Sequence, residues 1–278
     1  MGEASCNVCP HACSPAEGAY GLCGSRKMQG GKIVPEGYGR LTSLALDPIE
    51  KKPFARFHPG TTVLSLSSYG CNLKCPWCQN HMISYATANT TDWRQMSPRE
   101  VVDRALKLKR RGCIGIAYTY NEPFINLEFM RDCGELAHEN GLVNVVVSNG
   151  MVSWSALESV AHLIDAANID LKGFSRKFYD DICGSYECVM STIETLATLQ
   201  SCHLEVTTLV IPGLNDSPEG IDAAAQWLAS LSDEIPYHVT RFFPSFKYGN
   251  RQPTPIETVY VLAEVARKHL RYVFTGNC

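Results

Sequence analysis

Val63-Leu64-Ser65-Leu66-Ser67 and the cysteine-bearing stretch Cys71-Asn72-Leu73-Lys74-Cys75-Pro76-Trp77-Cys78-Gln79-Asn80 decide how this chain is read. The first reads as a short strand that delivers the second at its C-terminal end. The second sets three cysteines at C-x3-C-x2-C spacing, with an aromatic residue directly before the third. Thiolates are natural ligands of iron–sulfur clusters, and short loops between them let several sulfurs converge on one cube. Three thiolates on a four-iron core leave one iron open to a substrate or cofactor. A structural zinc site with a distant fourth ligand, or plain buried thiols, is the competing reading. Structural zinc prefers closed four-ligand sets, which weighs against it.

Outward from that stretch, the chain alternates strand and helix. Ser97-Pro98-Arg99-Glu100 is a capping box with proline at the first helical position, opening a helix to about Arg111. Strand Ile114–Thr119 follows, then a helix from about Asn126 to Asn140 ended by Gly141. Leu142–Ser148 is a strand and Ser153–Leu163 a short helix. Ile164–Lys172, Leu204–Val210 and Tyr237–Phe242 are further strands, with helices near 188–200, 218–231 and 255–269, and a strand-like Tyr272–Thr275 closes the chain. Right-handed crossovers curl such units into a partial (β/α)6 TIM-like barrel, an α/β fold whose ligands sit on the loops after the strands. The expected division is a cysteine-rich N-terminal segment over residues 1–60 and the barrel over 61–278.

Composition fits that fold. At 278 residues, 45% hydrophobic and 19% charged, the chain can bury one large core. A net charge of −3 gives no electrostatic case for nucleic acid or a membrane. No apolar run approaches the ~20 residues of a membrane span. Met1-Gly2-Glu3-Ala4-Ser5-Cys6 lacks the regions of a signal peptide, and Met1-Gly2 alone is a poor myristoylation signal. Thirteen cysteines clustered at C-x2-C and C-x3-C spacing fit metal ligation in a reducing cytoplasm better than a disulfide scaffold.

A second group, Cys6, Cys9, Cys13 and Cys23, lies in a segment whose glycines and prolines deny it regular structure. Four thiolates close a site, so this one reads as structural or electron-relaying. Zinc and a second [4Fe–4S] cluster both fit, with iron–sulfur preferred because the chain already needs cluster assembly. His11 reads as a loop residue. Asp47 to Pro53 carries no motif-grade chemistry, and Glu50, Lys51 and Lys52 read as a solvated loop. Cys113, Cys133, Cys183, Cys188 and Cys202 read as buried thiols.

Inside the barrel, period-two alternation turns Asn168, Asp170 and Lys172 inward, where a filled core would have aliphatics. Buried charges need partners or ligands, so Asp170 and Lys172 either pair with each other or contact a bound cofactor, the preferred reading. Glu205 and Thr207 share a face, for substrate contact or polar pairing. Tyr120, Asn121 and Glu122 precede Pro123, which keeps Glu122 extended. Ser148 and Asn149 cap a strand with a hydroxyl and an amide. Arg241 suits a carboxylate, and His238 is either a core histidine or an active group.

These blocks resemble the radical S-adenosylmethionine (SAM) enzyme of the AmmeMemoRadiSam system, a group similar to pyruvate formate-lyase activating enzymes. The resemblance runs through Cys6 to Cys23, Asp47 to Pro53, Cys71 to Asn80, Tyr118 to Pro123, Ile169 to Phe174, Val206 to Gly213 and Tyr272 to Asn277. It implies that SAM chelates the open iron and is reductively cleaved to a 5′-deoxyadenosyl radical, which abstracts hydrogen from a protein or a small molecule. It implies SAM contacts at Tyr120, Asn121, Glu122, Asp170 and Lys172, with the backbone of Trp77 at adenine. It further implies an electron donor such as flavodoxin or ferredoxin, and AMMECR-type and Memo-type partners. A non-catalytic iron–sulfur or metal-binding scaffold for those partners is the alternative. Phe243 stands where members commonly have histidine, and longer members continue beyond the position of Cys278, so no role of either feature carries over.

Overall fold

A computed structural model describes residues 4–278; Met1-Gly2-Glu3, on which the leader and lipidation readings partly fall, lies outside them. One eight-stranded sheet forms the frame. Its strands are β1 (Ser43–Pro48), β2 (Thr62–Ser67), β3 (Cys113–Tyr118), β4 (Val143–Ser148), β5 (Ala166–Asp170), β6 (His203–Val210), β7 (Tyr237–Arg241) and β8 (Val273–Gly276). They neighbour one another in chain order. β2 to β8 run parallel, and β1 adds antiparallel to β2. Among the described residues the two edge strands do not pair, so the barrel stays open.

The α/β partial-barrel expectation holds, with two differences in strand count. The closing segment is a full parallel partner of β7. Residues 31–60, which read as short strands and turns, contain β1, so the segment expected over residues 1–60 reaches into the sheet. Pro48 ends β1 because it cannot continue the ladder.

Helices cover the outer face: α1 (Pro98–Leu108), α2 (Leu127–Glu139), α3 (Tyr186–Thr198), α4 (Pro218–Leu231) and α5 (Ile256–Ala266). The capping box opens α1 as read, with the Ser97 hydroxyl accepting from Glu100 N–H at 3.3 Å and Ser97 N–H donating to the Glu100 carboxylate at 2.7 Å. Val101, Val102, Ala105 and Leu108 give α1 one buried stripe. The helix expected over Ser153–Leu163 is a short helix, Trp154–Glu158, and a separate 3-10 turn, Ala161–Leu163.

On the strands, Ile116, Val146, Ile169, Val206 and Val239 are buried in the core, while polar side chains alternate toward the barrel axis. The N-terminal residues form a small hairpin, Arg26–Gln29 with Lys32–Pro35, strapped to the barrel. Arg26 forks onto both oxygens of Glu128 at 2.8 Å and also reaches the Ile125 carbonyl. Ser153 N–H donates to the Val8 carbonyl at 2.9 Å, and Cys71 N–H to the Cys23 carbonyl at 3.0 Å.

Candidate active site

At the C-terminal ends of the strands the barrel encloses a cavity of about 900 Å³. Cys71, Cys75 and Cys78 all line it. Their loop is held from several sides. Tyr85 donates to the Cys75 carbonyl at 3.1 Å, Ser245 to that of Cys78 at 3.3 Å, and Lys74 to that of Cys71 at 3.3 Å. Two N–H groups approach the Cys71 sulfur: Leu73 N–H at 3.4 Å and the Asn149 amide at 3.5 Å. Burial pushes the Cys71 thiol far up and the Cys75 thiol to about 11. Such thiols become ligands when a cation replaces their protons. Trp77 is buried against Phe178 and Tyr248 on the same wall.

Glu122 joins the tips of β3 and β4. Its carboxylate accepts from Phe124 N–H at 3.1 Å, the Ser148 hydroxyl at 2.8 Å and Asn149 N–H at 2.9 Å. Burial still outweighs those bonds and pushes its pKa to about 7. Asn149 in turn donates to Asn72 at 2.9 Å, so Glu122 acts on the cysteine loop through Asn149. Asn121 donates to the Gly70 carbonyl at 3.0 Å and accepts from Ser68 N–H at 3.3 Å. Tyr120 takes a left-handed φ of +70°, a strained backbone beside the cavity.

Asp170 and Lys172 line the cavity and pair at 2.9 Å. Burial opposes the ammonium, but the Asp170 carboxylate and the Cys75 sulfur outweigh it and hold the Lys172 pKa above its usual value. Lys172 N–H also donates to the buried Tyr179 hydroxyl at 3.0 Å, which fixes the chain just past β5.

The inner wall is a network that sequence reading found only in part. Glu205 is wholly buried and accepts from Ala55 N–H at 3.0 Å, Arg56 N–H at 2.8 Å, His203 at 2.9 Å and His238 at 2.5 Å. Burial works against its charge; the two histidines and two amides outweigh burial and lower its pKa to about 2. Glu205 therefore anchors the 53–56 loop, and His238 carries the polar face into the cavity. Thr207 lines the cavity while donating to Asn168, which donates to the Pro53 carbonyl; both bonds are 2.8 Å.

The reading of residues 50–52 as a solvated loop is corrected for Lys52. That side chain is 2% exposed, pairs with Asp47 at 2.8 Å and lies 4.2 Å above the Tyr120 ring. Tyr120 also donates to Asp47. Burial opposes the Asp47 charge, yet Lys51, Lys52 and Tyr120 keep its pKa well below the usual range. A buried lysine needs such a partner, but nothing local in the sequence names Tyr120 as the third member.

Twelve of the thirteen residues proposed for the barrel site line this cavity: Cys71, Cys75, Trp77, Cys78, Tyr120, Asn121, Glu122, Ser148, Asn149, Asp170, Lys172 and Thr207. Arg241 does not. It donates to the Thr254 carbonyl at 2.7 Å and packs over Phe243. On β7 it is His238 and Thr240 that face the cavity. Of the scattered cysteines, Cys113 and Cys133 are buried as read, Cys188 and Cys202 are half-buried, and Cys183 is exposed. Cys6, Cys9, Cys13 and Cys23 converge on a separate pocket behind the cysteine loop.

Residues 65–227 match the family model of the radical SAM superfamily. The chain belongs to that superfamily. A Methanocaldococcus jannaschii protein described as uncharacterized protein MJ0808 is 39% identical over 98% of this radical SAM chain and 80% of its own length. The benzylsuccinate synthase activating enzyme of Thauera aromatica is 25% identical over 83% of this chain and 74% of its own. Among solved structures, a domain of a pyruvate-formate lyase-activating enzyme from Bacteroides vulgatus superposes with a TM-score of 0.50 at 18% identity, covering 59% of this chain and 99% of that one.

A radical SAM protein implies a [4Fe–4S] cluster and SAM, and the donor set fits both. Three thiols share one wall, N–H groups approach the Cys71 sulfur, and the cavity holds paired charges that a zwitterionic ligand can engage.

Proposed function

We propose that this chain reductively cleaves SAM and uses the resulting 5′-deoxyadenosyl radical to abstract hydrogen from a substrate, as a glycyl-radical-type activating enzyme would. The observation that carries the reading is the convergence of the Cys71, Cys75 and Cys78 thiols with Asp170, Lys172, Glu122 and Asn149 on one cavity. Cys71, Cys75 and Cys78 hold the cluster, which supplies the electron and the coordination site for SAM. Lys172 faces the SAM carboxylate, and Asp170 its ribose or amino group. Tyr120 and Asn121 hold the loop that meets the amino group, with Ser148 and Thr207 as further polar contacts. Glu122 keeps Asn149 turned to the Cys71 sulfur. Trp77 presents its backbone to adenine.

Cys6, Cys9, Cys13 and Cys23 hold a second metal centre, iron–sulfur in preference to zinc. A low-potential carrier of the flavodoxin or ferredoxin kind supplies electrons in the cytoplasm, and AMMECR-type and Memo-type proteins are the proposed partners. Among the described residues no helix is long and apolar enough to cross a membrane.

The test is anaerobic reconstitution followed by reduction in the presence of SAM. The expected product is 5′-deoxyadenosine, abolished in Cys71→Ala. No product above the Cys71→Ala background would sink the enzymatic reading and favour the scaffold. Deuterium transfer from candidate substrates into 5′-deoxyadenosine then separates small molecules from a protein glycine, which would instead give a glycine-centred radical signal on the partner.

A further inference from the structure

Behind the cysteine loop, Cys6, Cys9, Cys13 and Cys23 line one pocket together with His11 and Arg26. The segment is folded to bring them there: Cys6 N–H donates to the Cys13 carbonyl at 2.9 Å, and Ala12 takes a left-handed φ of +43° to close the turn after Cys9. Leu22 N–H approaches the Cys13 sulfur at 3.5 Å. Arg26 is 6% exposed, and while its terminal nitrogens hold Glu128, its Nε has no partner. A buried donor without an acceptor is costly. Thiolate or sulfide sulfur in this pocket would supply one, and the positive guanidinium would offset the thiolates' charge.

Four thiolates can close a single tetrahedral zinc or cap the four irons of a [4Fe–4S] core, and only the second carries electrons.

The two cysteine groups touch. Cys71 N–H donates to the Cys23 carbonyl at 3.0 Å. Gly70, with φ +84°, permits the approach, since a Cβ there would lie 2.2 Å from the Cys23 carbonyl oxygen. Alongside, His11 Nε2 meets the Asn72 carbonyl at 2.8 Å. One backbone hydrogen bond thus joins a thiol-bearing residue of the rear pocket to a thiol-bearing residue of the catalytic loop. Cys9 and Cys13 are only partly buried, so the rear pocket has a side toward solvent.

From this geometry we infer that the rear pocket holds a [4Fe–4S] cluster that is the port of electron entry for the triad's cluster. The inference rests on the radical SAM reading for its acceptor. A low-potential one-electron carrier protein is oxidised by one electron, which rests on the rear cluster and arrives on the triad's. No bond or proton changes place.

The experiment uses the full chain, reconstituted anaerobically, with iron, sulfide and zinc analysis and EPR spectroscopy. Wild type should carry about eight irons per chain. The Cys71→Ala/Cys75→Ala/Cys78→Ala variant should keep about four, with a reduced-state signal indifferent to SAM. Cys9→Ser/Cys13→Ser should keep a SAM-sensitive signal under a small chemical reductant but lose reduction by flavodoxin or ferredoxin. Should that double variant fail to fold, rapid-freeze EPR of wild type mixed with the reduced carrier decides, the rear signal rising first. One zinc with four irons per wild-type chain, undiminished carrier reduction of the double variant, or the triad signal rising first would overturn the relay. A wild-type signal blind to SAM would instead overturn the radical SAM reading, while the iron content of the triad variant still reports on the rear cluster.

Discussion

At the scale of single residues, Glu205 makes the sharpest pH prediction. Its carboxyl falls from an ordinary value of 4.5 to about 2 on folding, because His203, His238 and the Ala55 and Arg56 amides outweigh burial. The unfolded chain therefore binds more protons between those values, and stability rises with pH across that window. The contribution is complete above about pH 4.5 and is lost as pH falls toward 2. Glu205→Gln should flatten that part of the stability–pH curve and cost about 2–3 kcal/mol at neutral pH, the worth of bonds to a buried charge. Urea titrations from pH 2.5 to 7 check it, and an unaltered acid limb would show that Glu205 is not the titrating group. The residue-scale lesson is unequal. Cys71, Cys75 and Cys78 were legible because their chemistry lies within one short stretch. Glu205 was half legible, since its same-face pairing with Thr207 follows from period two but its partners at Ala55, Arg56 and His238 come from remote segments. Arg241 was misplaced because nothing in Tyr237–Phe242 says which face turns inward. Register supplies the answer: Thr207 stands opposite His238, so the inward face of β7 carries His238 and Thr240.

At the scale of elements, the helices that announce their ends are the ones sequence located well. Ser97, Pro98 and Glu100 mark the start of α1 with the two reciprocal bonds seen in the structure. Pro218 opens α4 behind the Ser217 cap, and its expected span 218–231 matches. Ser97→Ala should cost about 1 kcal/mol through the lost cap and leave SAM cleavage intact, since Ser97 is exposed and outside the cavity lining. Thermal unfolding beside the 5′-deoxyadenosine assay checks both halves, and a loss of activity without loss of stability would contradict the assignment of α1 to scaffolding. A short strand was legible around Leu44–Leu46, but not that it joins the main sheet as β1. Ser43–Pro48 is ended by proline and pairs antiparallel at the edge of an otherwise parallel sheet, so no βαβ rhythm marks it. Its last residues matter to the site all the same, because Asp47 receives Lys52 and Tyr120 at the cavity wall.

At the scale of the whole molecule, the N-terminal segment and the barrel depend on each other unequally. The barrel has its own core, running from Leu41 to Val273. Residues 4–24 bury little apolar surface beyond Cys6, Val8 and Cys23, and are tied down by backbone bonds at Val8, Cys23 and the hairpin. A segment of that kind gains most of its order from what its thiols hold, because binding to the folded state alone adds its free energy to stability. Removing iron from the reconstituted protein with an anaerobic chelator should therefore lower Tm by about 10 °C, as follows if bound metal adds about 4 kcal/mol. Limited proteolysis should then cut first between residues 5 and 24, before any cleavage in β2–β8. Restoring iron and sulfide should protect those sites. Zinc that restored protection equally well would argue that any four-thiol closure suffices for order. First cuts within the barrel would show that the rear pocket is not what the metal stabilises, and the segment would then have to be ordered by its straps at Ser153, Cys71 and Glu128 alone.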